Sequence, residues 1–537
     1  MKSPFSFALV SAGIAFAASC NNTVPEPSKT KPKLIVQITF DQLRGDLLER
    51  YRPAFTGGFK RVLDEGWWVR QGDTAHGLTV SFPGHATLAT GMHPAHHGLN
   101  ANEWWQEVGG RWRPVSVVED KRYAMIGAGT GVSPRQMTAS SLADWVKAAS
   151  PAGKAIGIGS DSVIAYGGLT PDAVYWFDPA AGGYASSTFY PARRPGWVDT
   201  LNKNLAGMPR SWALDVPLQW RSLAAHPQRC AAFEPGKPWP TNGRMLGPHR
   251  YSPEGGDTPD KHLSWLGGTP FLDVALLEQT AQIVQAEQLG SDAATDYLAI
   301  SVGATDSVGH EYGAVSLEQL DNLLRLDRAL GAMLDGLDRT VGKGRYVLAI
   351  SADHGVADPP EEKCIHRVTG PEIDAVLDRV EAIARAHRGK RSELVDKVVT
   401  ELKRAPFVGD VYTEERLASR GKDDRNAELM KRSFRRGHTT DFPLWSEKPR
   451  PHHPARYGIS VQFKPGMTFH YARAVHGSPY PYDRLVPVIF YGAGVPHQVV
   501  TKGARTVDVA PTLAALARVK APPNLDGRPL IAPGEGH

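Results

Sequence analysis

The sequence predicts an α/β protein, with a mostly parallel sheet, helices on both of its faces and an inserted cap region. Three observations predict it. Short, almost uninterrupted apolar runs recur along the chain, the pattern of strands buried on both sides. Helix-patterned stretches separate them. Acidic residues stand just past the ends of several of the runs, where open α/β sheets place their sites.

In chain order, residues 1–19 predict a signal peptide, with Lys2 as the positive start and an apolar stretch from Phe5 to Phe16. Ala17-Ala18-Ser19-Cys20 follows, and a polar, Pro/Lys-rich linker occupies residues 20–32. Small residues leading into Cys20 resemble a lipoprotein cleavage box, although Ala17 stands where Leu is usual. Ordinary cleavage after Ala17 or Ala18 is the alternative. Either way the protein is expected to be exported, to the periplasm or to the outer membrane of a bacterium through a lipid anchor on Cys20. In such a compartment a disulfide between Cys230 and Cys364 is open to the chain.

Residues 33–530 predict the catalytic domain. Leu34–Phe40 reads as a strand ending on Asp41, and Ala155–Ile158 as one ending on Gly159-Ser160-Asp161. Tyr297–Val302 leads to Asp306, Tyr346–Ile350 to Asp353-His354, and Val488–Tyr491 to a glycine turn. Between Asp306 and Asp353, Ser316 caps a leucine-patterned helix with Glu318 in its first turn. An insertion at about residues 365–467 carries helical patterns at Glu372–Arg388 and Ser392–Lys403 and a β-like Tyr457–Phe463. Long insertions of this kind commonly shape substrate access, so it reads as a cap.

Composition excludes several classes. The 537 residues are 41% hydrophobic and 22% charged, too apolar for a disordered chain. Three cysteines cannot build a disulfide scaffold, and no long apolar run follows the N-terminus. The net charge of +5 is spread along the chain, which does not mark a nucleic-acid binder. No feature sets an oligomeric state.

The acidic and histidine residues carry the chemistry. Asp41, Asp306 and Asp353-His354 should converge at the carboxyl ends of their strands. Asp306 and His310 lie one helical turn apart and share a face. Carboxylate oxygen mixed with imidazole nitrogen suits Zn²⁺. Any one of these acids alone would read as a cap or turn residue. A second constellation is Ser81-Phe-Pro-Gly-His85, where a hydroxyl and Pro83 mark a helix start. Ser81 is either a plain cap or, beside metal ions, a nucleophile at a helix end that favours anions.

Taken with Asp41-Gln-Leu-Arg-Gly-Asp46, Thr90-Gly-Met-His-Pro94, His97-Gly-Leu-Asn-Ala-Asn102, Asp306-Ser-Val-Gly-His310, Ala352-Asp-His-Gly355, His476-Gly-Ser478 and Thr506–Thr512, the chain resembles the alkaline phosphatase superfamily. The branch is that of phosphate-irrepressible alkaline phosphatases and nucleotide pyrophosphatase/phosphodiesterases, and the likeness runs in order along nearly the whole mature chain. The resemblance implies two zinc ions. One would be held by Asp306, His310 and His476, the other by Asp41, Asp353 and His354, with the Ser81 oxygen between them. It also implies that Asn102 binds a phosphoryl oxygen. The expected function is therefore an exported two-zinc phosphoester hydrolase working through a covalent phosphoserine.

Two departures matter. The branch usually carries Thr at the nucleophile position, where this chain has Ser81, with Thr79 as the fallback hydroxyl. Monoesterases of the branch clamp the phosphate dianion with a Lys-Asp-Arg triplet, and here the aligned triplet is Ser160-Asp161-Ser162. Losing two cations from a desolvated site penalises a dianion more than a monoanion, so a diesterase or nucleotide pyrophosphatase is the alternative reading. The basic run Lys431–Arg436 could supply a replacement cation, or be a solvated face. Trp104 and Trp105, beside Asn102, could wall the leaving-group side, core packing being their plainer use. A sulfatase is a remote alternative, because His85 stands where the formylglycine motif needs Arg.

Overall fold

The computed structural model describes residues 31–109, 111–126, 129–191, 193–224, 230, 248–446, 448, 450–469 and 472–532. The expected signal peptide, most of the linker and Cys20 lie outside the described residues. No helix among the described residues is long and apolar enough to cross a membrane.

Eleven strands form one sheet. In chain order they are β1 (Leu34–Phe40), β2 (Trp67–Asp73), β3 (Glu119–Ile126), β4 (Thr130–Val132), β5 (Ala155–Gly159), β6 (Ala173–Asp178), β7 (Gly183–Ser187), β8 (Asp296–Val302), β9 (Tyr346–Ser351), β10 (Leu485–Gly492) and β11 (Gln498–Val500). Across the sheet the order is β11-β2-β10-β9-β1-β8-β5-β6-β7-β3-β4. The centre, from β9 through β6, is parallel.

Every residue of β1 is buried, because both faces are covered. Its side chains alternate between two cores. Leu34, Val36, Ile38 and Phe40 join the cluster built with the helices Gly58–Glu65, Phe271–Ala286 and Leu317–Leu337. Ile35 faces the other cluster, which holds the helices Ser81–Thr90, Leu142–Ala149 and Val509–Leu516. On that second face Gln37 donates to the Leu88 carbonyl (2.9 Å), so its buried amide is not left unpaired. The Ser316 cap forms as the sequence predicts, its side chain accepting from the Gln319 amide of helix Leu317–Leu337.

Register levels the strand ends that matter. Phe40 lies opposite Val302 of β8, and Thr39 opposite Ser351 of β9. Asp41, Asp306 and Asp353 therefore leave the sheet from one edge. The run at 488–491, expected as one more strand of the parallel set, is instead antiparallel to β9. The reason is its entry point: the chain arrives from the loop around His476, already at the carboxyl ends of the parallel strands, and can only run back.

The segment between His354 and His476 holds the helices Gly370–Ala386 and Arg391–Leu402 and an antiparallel pair, Val408–Tyr412 with Ser460–Phe463, around its own apolar cluster. Cys230 and Cys364 form a disulfide that ties the chain before β8 to the loop after β9.

Candidate metal and phosphoryl-transfer site

The site is built at the level carboxyl ends of β1, β8 and β9. Asp41 follows β1 directly. Asp306 and His310 lie one turn apart on the helix Ala304–Tyr312, which starts after β8. Asp353 and His354 follow β9, and His476 arrives on the loop before β10. Ser81 is the first residue of the helix Ser81–Thr90, whose N-cap position is Val80. Its hydroxyl makes no cap, which removes the plain reading of a capping serine, and lies 3.4 Å from His354 Nε2. Thr79 is fully buried and its hydroxyl donates to the Ser478 carbonyl, so of these two hydroxyl residues Ser81 is the one that lines the cleft.

Three imidazoles are aimed by the same device. His310 Nδ1 donates to the Ala474 carbonyl (2.7 Å), His354 Nδ1 to Gly355 (3.0 Å) and His476 Nδ1 to Thr79 (2.8 Å). Each bond fixes the tautomer and leaves Nε2 as the nitrogen open to a metal ion. Those nitrogens converge on the carboxylates. Asp306 Oδ1 lies 3.2 Å from His310 Nε2 and 3.6 Å from His476 Nε2. His354 Nε2 lies 3.4 Å from both Asp41 Oδ1 and Asp353 Oδ2. Ligand atoms bound tetrahedrally at about 2.0–2.1 Å stand about 3.3 Å apart, so these separations fit a zinc-sized ion.

The electrostatics fit as well. Asp353 is fully buried and pushed up to about 7 by that burial. Burial, then Asp353 and Asp306, raise Asp41 well above the carboxylate range. Burial opposes the Asp306 charge too, yet His310, His476 and His354 hold this carboxyl below its ordinary value. Asp41 Oδ1 and Asp353 Oδ2 have no hydrogen-bond partner. Clustered buried carboxylates with orphaned oxygens call for cations.

Two supports escaped the sequence reading. Gln42, at φ 64°, donates its backbone N–H to Asp353 Oδ1 (3.1 Å) and its side-chain amide to Asp306 Oδ1 (2.5 Å). It thus joins the two halves of the site through a left-handed backbone that only surrounding contacts can hold. Gly309 makes room for it, since a Cβ there would sit 1.9 Å from Gln42 Oε1. His85 is the second: its ligand atoms group with those of Asp41 and Asp353, while Asp306, His354 and His476 form the other tight group. Their signals were position alone, Gln42 following a strand-end acid and His85 one turn beyond Ser81.

Asp41, Ser81, Asn102, Ser160, Ser162 and Asp306 line a cleft of about 870 Å³. Asn102 Oδ1 accepts from the Phe82 amide (2.9 Å), which turns Nδ2 into its free donor. Ser160 Oγ lies 2.6 Å from Ser301 Oγ. Among the described lining residues there is no lysine or arginine. No residue of the basic run Lys431–Arg436 lines the cleft, and Arg432 and Arg435 donate to the carbonyls of Ala75 and Gly98. Trp104 does not wall the cleft either. It is buried and packs edge-on to His438, while Trp105 stacks on His453. Aromatic lining comes instead from Phe82, Phe177, Tyr184, Phe442, Trp445 and Phe469.

Residues 35–437 match the family described as type I phosphodiesterase / nucleotide pyrophosphatase. The chain belongs to this family. This phosphodiesterase-family chain is 30% identical to alkaline phosphatase PhoK of Sphingomonas sp, over 93% of its own length and 91% of PhoK. It is 27% identical to alkaline phosphatase PafA of Elizabethkingia meningoseptica, over 96% and 95% of the two chains. Its fold is that of the wild-type PafA crystal structure, with a TM-score of 0.79 at 24% identity, over 93% of this chain and 98% of that one.

Behind the site, Asp483 is almost wholly buried and holds Ser478 through the backbone N–H and hydroxyl. Burial pushes its carboxyl up to about 8 from an ordinary 3.8. Between those values the folded state binds the extra proton, so stability falls as pH rises through the window. Asp483→Asn keeps a neutral polar group and should flatten that slope. Urea midpoints of both proteins at about pH 6 and about pH 9 measure it, and equal slopes would show that the buried carboxyl is ionised throughout.

Proposed function

We propose that the chain is a two-metal phosphoester hydrolase that works through a covalent phosphoserine on Ser81. The observation that carries the reading is the meeting of the Ser81 hydroxyl with His354 Nε2 beside two buried carboxylates, Asp41 and Asp353. Family membership and the alkaline phosphatase relatives support phosphoric ester hydrolysis as the reaction class.

Asp306, His310 and His476 would hold one zinc ion, and Asp41, Asp353 and His354 the other. Bound there, zinc would supply Lewis-acid charge that stabilises ionised oxygens at neutral pH. The chain's own residues do the rest. Ser81 Oγ forms a bond to phosphorus as the ester oxygen departs with the alcohol. A water oxygen then bonds to phosphorus and the Ser81 Oγ–P bond breaks, which returns the serine and releases phosphate or its monoester. Asn102 Nδ2 and the backbone N–H groups at the helix start would donate to the equatorial oxygens.

A specific observation favours diesters over monoesters. The cleft carries Asp41, Glu103, Asp161, Asp273, Asp306 and Asp441 but, among the described residues, no lysine or arginine to add to the metal ions in meeting a second phosphate charge. Matched aryl monoester and diester substrates test this through kcat/KM. Ser160→Lys with Ser162→Arg should raise the monoester-to-diester ratio about tenfold or more, since each charged hydrogen bond contributes about 1.5–3 kcal/mol. An unchanged ratio in the folded, metal-loaded variant would mean that another group already binds the dianion.

Export belongs to the same proposal. The Cys230–Cys364 disulfide supports an oxidising compartment, and Cys20 would then anchor the mature protein to a membrane by lipid.

A further inference from the structure

His85 is fully buried and stands where the nucleophile's helix meets the metal-binding edge. The helix reaches this edge because residue 84 is glycine, a Cβ there falling 2.5 Å from Asp353. His85 Nδ1 lies 2.9 Å from the Ser81 carbonyl oxygen and 3.1 Å from Asp353 Oδ2. The Ser81 carbonyl can only accept, so Nδ1 carries the proton. Nε2 is then an acceptor, and the Ser301 hydroxyl, 2.9 Å away, donates to it. The Ser160 hydroxyl in turn donates to Ser301, 2.6 Å away. Each nitrogen of His85 is therefore engaged, and neither keeps a lone pair for a metal ion.

We infer that His85 is a positioning residue rather than a metal ligand: its Nδ1–H holds the Ser81 carbonyl and faces Asp353 Oδ2, setting the nucleophile's turn against that carboxylate. Asp353 Oδ1 is already fixed by the amides of Gln42 and His354 (3.1 and 2.9 Å). His85 Nδ1 stands beside Oδ2 at 3.1 Å, and this oxygen, which takes no hydrogen bond, stays open toward an ion. The relay also turns the Ser160 proton inward, so this hydroxyl presents lone pairs rather than a donor to the cleft. The inference rests on the two-metal reading, with His354 Nε2 as the imidazole ligand beside Asp41 and Asp353.

Asparagine and glutamine separate the two ring nitrogens. His85→Asn places an amide N–H near the position of Nδ1, whereas His85→Gln places one near Nε2 and leaves Nδ1 unreplaced. Zinc affinity of the full chain, measured by chelator competition, should fall about 10- to 100-fold at one ion in His85→Gln and stay within about threefold of wild type in His85→Asn. kcat/KM should follow the same order. Equal losses in the two variants would reduce His85 to packing, and loss of an ion in His85→Asn alone would make it a ligand; either result overturns the inference. Ser301→Ala, which leaves the imidazole in place, should weaken the same ion by about tenfold, and unchanged affinity there counts equally against it. A wild-type chain that binds no zinc would instead sink the two-metal reading itself.

Discussion

Ser81→Ala is expected to lower kcat on the order of 10⁴-fold or more while leaving the metal ions bound. The hydroxyl is the only part of the side chain lost, and Asp41, Asp353 and His354, the proposed ligands of the neighbouring ion, remain. The helix should survive, because Ser81 makes no cap bond. Its turn keeps the Asn102–Phe82 and His85–Ser81 backbone contacts. Rapid quench with a labelled substrate should find no phosphorylated enzyme in the variant. Near wild-type turnover, or label trapped on Thr79, would show the nucleophile is assigned wrongly.

The second large effect is expected from Asp306→Ala. This carboxylate is the point on which His310, His476 and the Gln42 amide converge. Its removal leaves two imidazoles without a charge partner and a buried amide donor without its acceptor, so the site loses both ligand and alignment. Zinc affinity at one ion should fall about a hundredfold or more, and most activity with it. Wild-type enzyme stripped by a chelator should lose activity and regain it when zinc is restored. Full activity in metal-free protein would refute the mechanism.

Much of this was legible in the sequence, for physical reasons that differ residue by residue. Asp41, Asp306 and Asp353-His354 stood out because a buried parallel strand writes an unbroken apolar run whose end is easily seen. His476 has no such marker; it sits on an irregular loop after the cap, and only resemblance reached it. Gln42 and His85 act through a left-handed backbone and a helix packed against Asp353, neither of which a linear pattern encodes. Trp104 was misplaced because sequence adjacency to Asn102 does not tell which way the strand Glu103–Val108 turns its side chains, and this one is buried against His438. The direction of β10 depends on where the chain re-enters the sheet, which is a property of the whole path.

That path has a consequence in time. β2 pairs only with β10 and β11 in the main sheet, so residues 67–73 are made early and wait for partners at 485–500. A chain emerging from its N-terminus carries this strand with open N–H and C=O edges through most of synthesis. Until then Trp67, Trp68 and Val69 have no strand beside them to complete their burial. His476 is made just ahead of β10, so the last of the proposed metal ligands and the strand that closes this side of the sheet arrive together. Newly made chains that stop short of this point are aggregation-prone and catalytically incomplete for one topological reason.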